Sequence, residues 1–258
     1  MNCYVKVVLL IVVSVIVNGT ILAQSSRRVF QSRQFTELYV KGAIKVECRN
    51  NVDSAGLIVF DAHPELEGAV DCHNVGARLS ISVEGSSASL HGKISTIVVY
   101  YNGLLSTVSY TGSGEIVLSQ PPLAQRVAFA MTGSGRMRTI GVKTHYLNCA
   151  MAGSGSIAMG AKTIVDNITC SVSGSGAVEV ADIQASAANA TVNGPGDMII
   201  NGRSQKASFA LKGSGVIDAS ALSLSSMTAG VYGSGKIYYN GNVSQVKISG
   251  KQDNVIAR

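Results

Sequence analysis

The chain has 258 residues, of which 46% are apolar and 14% charged, with a net charge of +6, five Cys and no Trp. That balance points to a large, well-buried β structure. Its basic residues form no stripe interleaved with aromatics, which speaks against nucleic acid as a partner.

Lys6 precedes the apolar run Val7 to Val17, and Asn18-Gly19-Thr20-Ile21-Leu22-Ala23 then leads to Gln24. One early positive charge, an apolar core of 11 residues and a small residue at the junction read as a secretory signal peptide over residues 1–23. The run is too short to be a membrane span, which needs about 20 apolar residues. Residues 24–29 are a short lead. The mature chain keeps 20 Lys+Arg against 15 Asp+Glu, so Lys6 is the one charge lost. No stable transmembrane span is expected in it, and mild attraction to anionic glycans or headgroups follows from the excess of base.

Residues 30–93 carry alternating segments, Phe35-Thr-Glu-Leu-Tyr-Val-Lys-Gly42, Ile44 to Cys48, Leu57 to Phe60 and Leu79 to Val83, separated by turns rich in Asn, Asp, Pro and Gly. They are expected to be strands that cover one end of the structure built by the rest of the chain. Such a cover is needed because an open sheet end pairs with other chains.

From residue 94 to 258 the chain is a repeat. Gly-X-Gly triplets occur at Gly112/Gly114, Gly133/Gly135, Gly153/Gly155, Gly174/Gly176, Gly194/Gly196, Gly213/Gly215 and Gly233/Gly235, in steps of 19 to 21 residues. Two before each first Gly stand Tyr110, Met131, Met151, Val172, Val192, Leu211 and Val231. Four before come Val108, Phe129, Cys149, Cys170, Ala190, Phe209 and Ala229. Four after come Ile116, Met137, Ile157, Val178, Met198, Ile217 and Ile237. Apolar residues at every second position on both sides of a corner describe two short strands with one buried face each. Stacked at a fixed period, they predict an all-β fold: a parallel β-helix of rungs about 20 residues long, right-handed as parallel crossovers are, with an N-terminal β cap. A flexible Gly/Ser linker would not hold apolar columns at constant offsets. Gly at the corners permits positive φ and close approach of successive rungs, and the intervening Ser residues form an exposed ridge broken by Pro195. At the far end, Ser249-Gly250-Lys251 reads as a degraded triplet, with Lys251, Asp253 and Arg258 blunting the last edge.

Cys149 and Cys170 occupy the same column on successive rungs, within disulfide range, yet stacked identical side chains point the same way. Two buried thiols are therefore expected, while spacing alone leaves a Cys48–Cys72 pairing open. The outward columns after the corner run Glu115, Arg136, Ser156, Ala177, Asp197, Val216, Lys236 and Val117, Arg138, Ala158, Glu179, Ile199, Asp218, Tyr238. Within each column the acids stand singly, two to four rungs apart, so catalytic carboxylate pairs are not expected; Asp197 and Glu179 are the residues to test for an enzyme. His63, His73, His91 and His145 lack mutual metal-ligand spacing, and no metal or cofactor is implied. Tyr110 and Tyr239 fall in inward columns. Tyr232 and Tyr238 are left as candidates for stacking on a ligand such as a sugar ring.

The opening Phe35 to Val46 strands, the Val75-Gly-Ala-Arg-Leu-Ser-Ile81 step and the serial Gly-Ser-Gly-Xaa-Ile corners resemble the head GIN domain family of putative auto-transporter adhesins, exported proteins of bacteroidete bacteria. The resemblance covers nearly all of the mature chain and departs from the pattern at Gly194-Pro195-Gly196. It implies a β-helical exported domain and suggests adhesion, and it carries no catalytic residues to transfer. The expected function is a non-enzymatic module in the periplasm or at the cell surface that binds glycan or protein. A structural role in the envelope is the alternative, and a β-helical polysaccharide-degrading enzyme the third reading. The sequence leaves the oligomeric state open.

Overall fold

The computed structural model describes residues 26–63, 66, 68–85, 93–160 and 162–258. The leader assigned to residues 1–23, and His91, lie outside the described residues.

The chain is a parallel β-helix. On its first face the strands Thr107–Gly112, Arg126–Gly133, Lys143–Gly153 and Thr163–Gly174 run side by side with their corner glycines in register, and the stack continues through Asn193, Gly213 and Gly233. The second face follows each corner. Ile116, Met137, Ile157, Val178, Met198, Ile217, Ile237 and Val255 form one unbroken inward ladder there. The column four before the corner is equally continuous, Val108–Phe129–Cys149–Cys170–Ala190–Phe209–Ala229–Ile248. Large and small residues are interspersed along it: Phe209 stands between Ala190 and Ala229, and Phe129 between Val108 and Cys149.

A third face, not evident in the two-strand reading of the repeat, carries Thr144, Val165, Ala185, Ser204 and Leu224 as register partners. Two of its buried hydroxyls bond to backbone carbonyls: Thr144 Oγ1 donates to the Ala124 carbonyl and Ser204 Oγ to the Lys206 carbonyl, each at 2.8 Å. Thr163, Ile183, Gly202 and Leu222 are partners on this face, and each stands eleven residues before its corner glycine. The variation in step length therefore lies entirely in the turn between the second and third faces, and never disturbs the register of the first.

At the N-terminal end, Glu37–Lys41 and Lys45–Asn50 form a rung of their own around Gly42. Leu38 lies between Leu79 and Val108, and Val46 between Ile97 and Ile116. This segment, assigned to the cap by its lack of a triplet, is thus one layer inside the stack. The outer layer is Arg78–Val83 with Ile97–Tyr101, and it is closed by antiparallel neighbours: Val70–Val75 on one side, Leu57–Ala62 and then Ser26–Gln31 on the other. Phe30 and Phe60 stack within this cover, centroids 5.6 Å apart. A switch to antiparallel pairing ends the parallel growth.

The far end differs from the expected pattern in one respect. Gly250 pairs with Val231 and not with Gly233, so Ser249-Gly250-Lys251 is not a corner of the stack. Val246 and Ile248 continue the inward columns beneath Met227 and Ala229, but Val246 is exposed because no further rung covers it.

Candidate functional site

The corners stack closely enough that close approach selects Gly at both positions of each triplet, and a second constraint, positive φ, falls on the first position alone. The first Gly of each triplet, at positions Gly112, Gly133, Gly153, Gly174, Gly194, Gly213 and Gly233, takes positive φ, 105° at Gly174, which an L side chain rarely adopts. The second glycine of each pair does not share that conformation. Gly114, Gly135, Gly155, Gly176, Gly196, Gly215 and Gly235 have no positive φ, and close approach of the rungs alone requires them. The Cβ of any other residue at Gly176 would stand 2.7 Å from the Gly155 carbonyl oxygen of the preceding rung. At Gly215 it would run into the Gly196 carbonyl oxygen, and at Gly235 into the Gly215 carbonyl oxygen. The ridge residues between the two glycines, such as Ser134, Ser154, Ser175, Pro195, Ser214 and Ser234, are not buried.

Along this corner runs an open groove of about 690 Å³. It begins at Ile94 to Thr96 and Ala43 to Lys45, passes Ser113, Ser134 and Ser154, and ends at Ser175 and Ala177, one rung short of Pro195. Its N-terminal end is charged: Glu115 pairs with Lys45 at 3.5 Å and with Arg138 at 2.5 Å, and Arg136 lines the groove beside them. The other end is neutral and rich in hydroxyls. The whole is an elongated cleft along the rod.

A second groove, about 620 Å³, borders the opposite edge of the first face, where the third face bends into it. Arg126, Tyr146 and Asn167 are vertical neighbours there, and Ala128, Asn148 and Thr169 form the next outward column. The small side chain of Ala128 leaves the recess between Thr107 and Asn148. The Arg126 guanidinium lies over the Tyr146 ring, 4.4 Å from its centroid, and Tyr146 keeps 46% of its surface exposed. Just before the bend His145 Nδ1 meets Asp166 Oδ2 at 2.6 Å.

The sequence profile described as "Putative auto-transporter adhesin, head GIN domain" matches residues 34–203 and 161–253. The chain belongs to this family. No curated protein matches it. Among solved structures, a putative lipid binding protein from Parabacteroides distasonis is 25% identical, with 87% of this chain and 94% of that chain covered at a TM-score of 0.74. A putative adhesin from the same organism is 17% identical over 89% of this chain and 95% of its own, TM-score 0.76. A putative adhesin from Parabacteroides merdae is 17% identical over 88% and 94%, TM-score 0.70.

In this head GIN chain Tyr232 and Tyr238 do not come together. Tyr232 projects from the first face, 56% exposed, its hydroxyl 3.4 Å from Ser249 Oγ. Tyr238 lies on the second face beneath the Arg258 guanidinium, 3.4 Å from its ring centroid, and Arg258 also approaches Asp218 at 3.9 Å. Tyr110 and Tyr101 are buried. Asp197 accepts the Val216 N–H at 3.1 Å, while Glu179 stands exposed between Ala158 and Ile199. His73 pairs with Asp71 at 2.9 Å. Among the described residues no three His, Cys, Asp or Glu side chains gather as a metal site, and no helix is long and apolar enough to cross a membrane. Cys149 and Cys170 are register partners, fully buried and present as thiols. Cys48, buried, and Cys72, partly buried, are thiols as well.

Tyr146 is the residue that the sequence reading missed. It stands seven before Gly153, outside the columns counted from the corner. Extending those columns by three positions brings out Arg126, Tyr146 and Asn167 in succession.

Proposed function

We propose that this head GIN protein is an exported, non-enzymatic adhesin that binds an extended glycan or protein strand at the cell envelope through its corner groove. One observation carries the reading: the groove runs across successive rungs along the corner, so a ligand with a repeating backbone meets a Ser-lined rung about every 4.8 Å. Family membership and the neighbours named as adhesins support it. Export rests on the leader, with cleavage after Ala23 and a mature chain that begins at Gln24. Residues 30–93 and 94–258 act as one domain, because Glu37–Asn50 stacks inside the rod. A second reading, contact with lipid headgroups, is favoured by the neighbour named as a lipid binding protein.

The deciding experiment puts the mature chain on a glycan array and in an envelope pull-down, with anionic and neutral vesicles and a polysaccharide-cleavage assay in parallel. Saturable binding that persists at physiological salt, and that is lost in Ser134→Gln/Ser154→Gln, is the expected outcome; charge-driven contact alone would fade with screening. Pro195 shows that the ridge position accepts a residue other than Ser, so these variants should fold. Vesicle binding alone favours the headgroup reading. Envelope capture without glycan binding favours a structural role, and cleavage abolished by Asp197→Asn or Glu179→Gln makes the protein an enzyme.

A further inference from the structure

The groove at Tyr146 differs in chemistry from the corner groove. Of its lining residues Arg126 alone is charged. The nearest acid along the chain, Asp166 beside Asn167, is held by His145. A guanidinium lying over an aromatic ring has little side-chain freedom left to lose, and its planar N–H fork remains available to a carboxylate in bidentate geometry. Around it stand two amides, Asn148 and Asn167, and the Thr169 hydroxyl, with the exposed part of the Tyr146 ring between them. Aromatic surface beside amide and hydroxyl groups suits a pyranose ring, which is apolar across its C–H face and hydroxylated at its rim.

A peptide strand is the poorer fit, for a backbone reason. The strands that floor this groove, Arg126–Gly133, Lys143–Gly153 and Thr163–Gly174, are each paired on both sides. Their N–H and C=O groups are already used, so strand addition, which needs a free sheet edge, cannot occur here. Recognition must run through side chains.

We propose that this groove binds a carboxylate-bearing sugar ring, with Arg126 taking the carboxylate, Tyr146 the apolar face, and Asn148, Asn167 and Thr169 the ring hydroxyls. The site stands independently of the corner groove, on the opposite edge of the same sheet. It is tested by titrating the mature chain with methyl β-D-glucuronide and with uncharged methyl β-D-glucoside, followed by amide NMR shifts, with sodium acetate and sodium sulfate as anion controls. The glucuronide is expected to give saturable shifts around Tyr146 and to bind about tenfold more tightly than the glucoside. Arg126→Gln should bring the two sugars level, and Tyr146→Ala should weaken both by about tenfold. Tyr232→Ala and Ser134→Gln/Ser154→Gln should leave this binding unchanged, which separates its failure from that of the corner-groove reading. Equal affinity for the two sugars, full binding by Arg126→Gln, acetate or sulfate binding as tightly as the glucuronide, or no saturable shift overturns the proposal. Arg126 and Tyr146 project from the surface, and matching thermal melts confirm that both variants remain folded.

Discussion

The Tyr110 hydroxyl donates to the Gly42 carbonyl at 2.8 Å and so ties the first Gly corner of the repeat to the corner of the rung above it. The same oxygen lies 3.0 Å from the Ile44 carbonyl and accepts the Gly114 N–H at 2.9 Å. Tyr110 stands in the inward column just before Gly112, where the other rungs carry Met, Val or Leu. A hydroxyl is present here because the Gly42-Ala43-Ile44 corner is not a Gly-X-Gly triplet and leaves backbone groups to be bonded. Tyr110→Phe should therefore cost about 1–3 kcal/mol in denaturant melts, as the Gly114 N–H and the Gly42 carbonyl lose their partner while the Ile44 carbonyl keeps the Glu115 N–H. Tyr232→Phe, at an exposed hydroxyl, should cost almost nothing.

The second corner glycine is required by space and not by φ. Gly176→Ala places a methyl against the Gly155 carbonyl at 2.7 Å and Met151 Cγ at 2.9 Å, so rungs must part. A loss of more than about 2 kcal/mol is expected. Gly215→Ala and Gly235→Ala meet backbone carbonyls in the same way and should behave alike. Gly76 has a φ of 61° and nothing within 4 Å of an added Cβ. Gly76→Ala should cost only about 1–2 kcal/mol, the strain of the left-handed conformation. Equal melting shifts for Gly176→Ala and Gly76→Ala would show that rung contact is not the constraint. Gly174→Val combines positive φ with a 2.7 Å approach to Gly153 and should be worse than either.

Leu211 is fully buried in the column two before the corner, and its neighbour Lys212 is exposed. Leu211→Ala should destabilise by about 2–5 kcal/mol by opening a cavity in a close-packed rod, whereas Lys212→Ala should be nearly neutral. Urea titrations giving the reverse order would mean that the inward and outward faces are exchanged.

Stability should fall in alkali. Burial, with Glu47 beside it, pushes the Cys48 thiol from its ordinary 9.0 up to about 12. Burial also raises the Tyr101 and Tyr110 phenols. These groups stay protonated in the folded chain while the unfolded chain loses its protons. Their contribution is complete below pH 9 and is removed as pH rises toward the folded values, by up to about 1.4 kcal/mol per pH unit for each group. Melts from pH 7 to 11 should show a plateau and then a decline, beginning near 9 for the thiol and near 10 for the phenols. The decline should be shallower in Cys48→Ala. No decline would contradict these burial assignments.

Cys149 and Cys170 are stacked thiols in the closed core. Iodoacetamide should leave both unmodified in the native chain and alkylate both after unfolding without reductant. A native mass two hydrogens lower, with no alkylation after unfolding, would show a disulfide instead.

The corners, the inward columns and the parallel stacking could be read from the chain itself because each is local. A Gly-X-Gly triplet sets the register, and apolar residues at alternate positions on either side show which face is buried. Three features depended on tertiary structure. The third face was hidden because all the variation in repeat length collects just before it, at turns such as Ile140 to Val142, and blurs any column counted forward from the corner. The rung Glu37–Asn50 inserts between strands that come later in the chain, a placement set by long-range pairing of Leu38 with Leu79 and Val108, for which an alternating strand carries no address. The Arg126–Tyr146 contact joins residues twenty apart that only rung-on-rung stacking makes neighbours. Sequence periodicity encodes which side chains face the axis, because burial repeats with the backbone. Which outward side chains touch depends on the register between rungs, and that register is a property of the assembled stack.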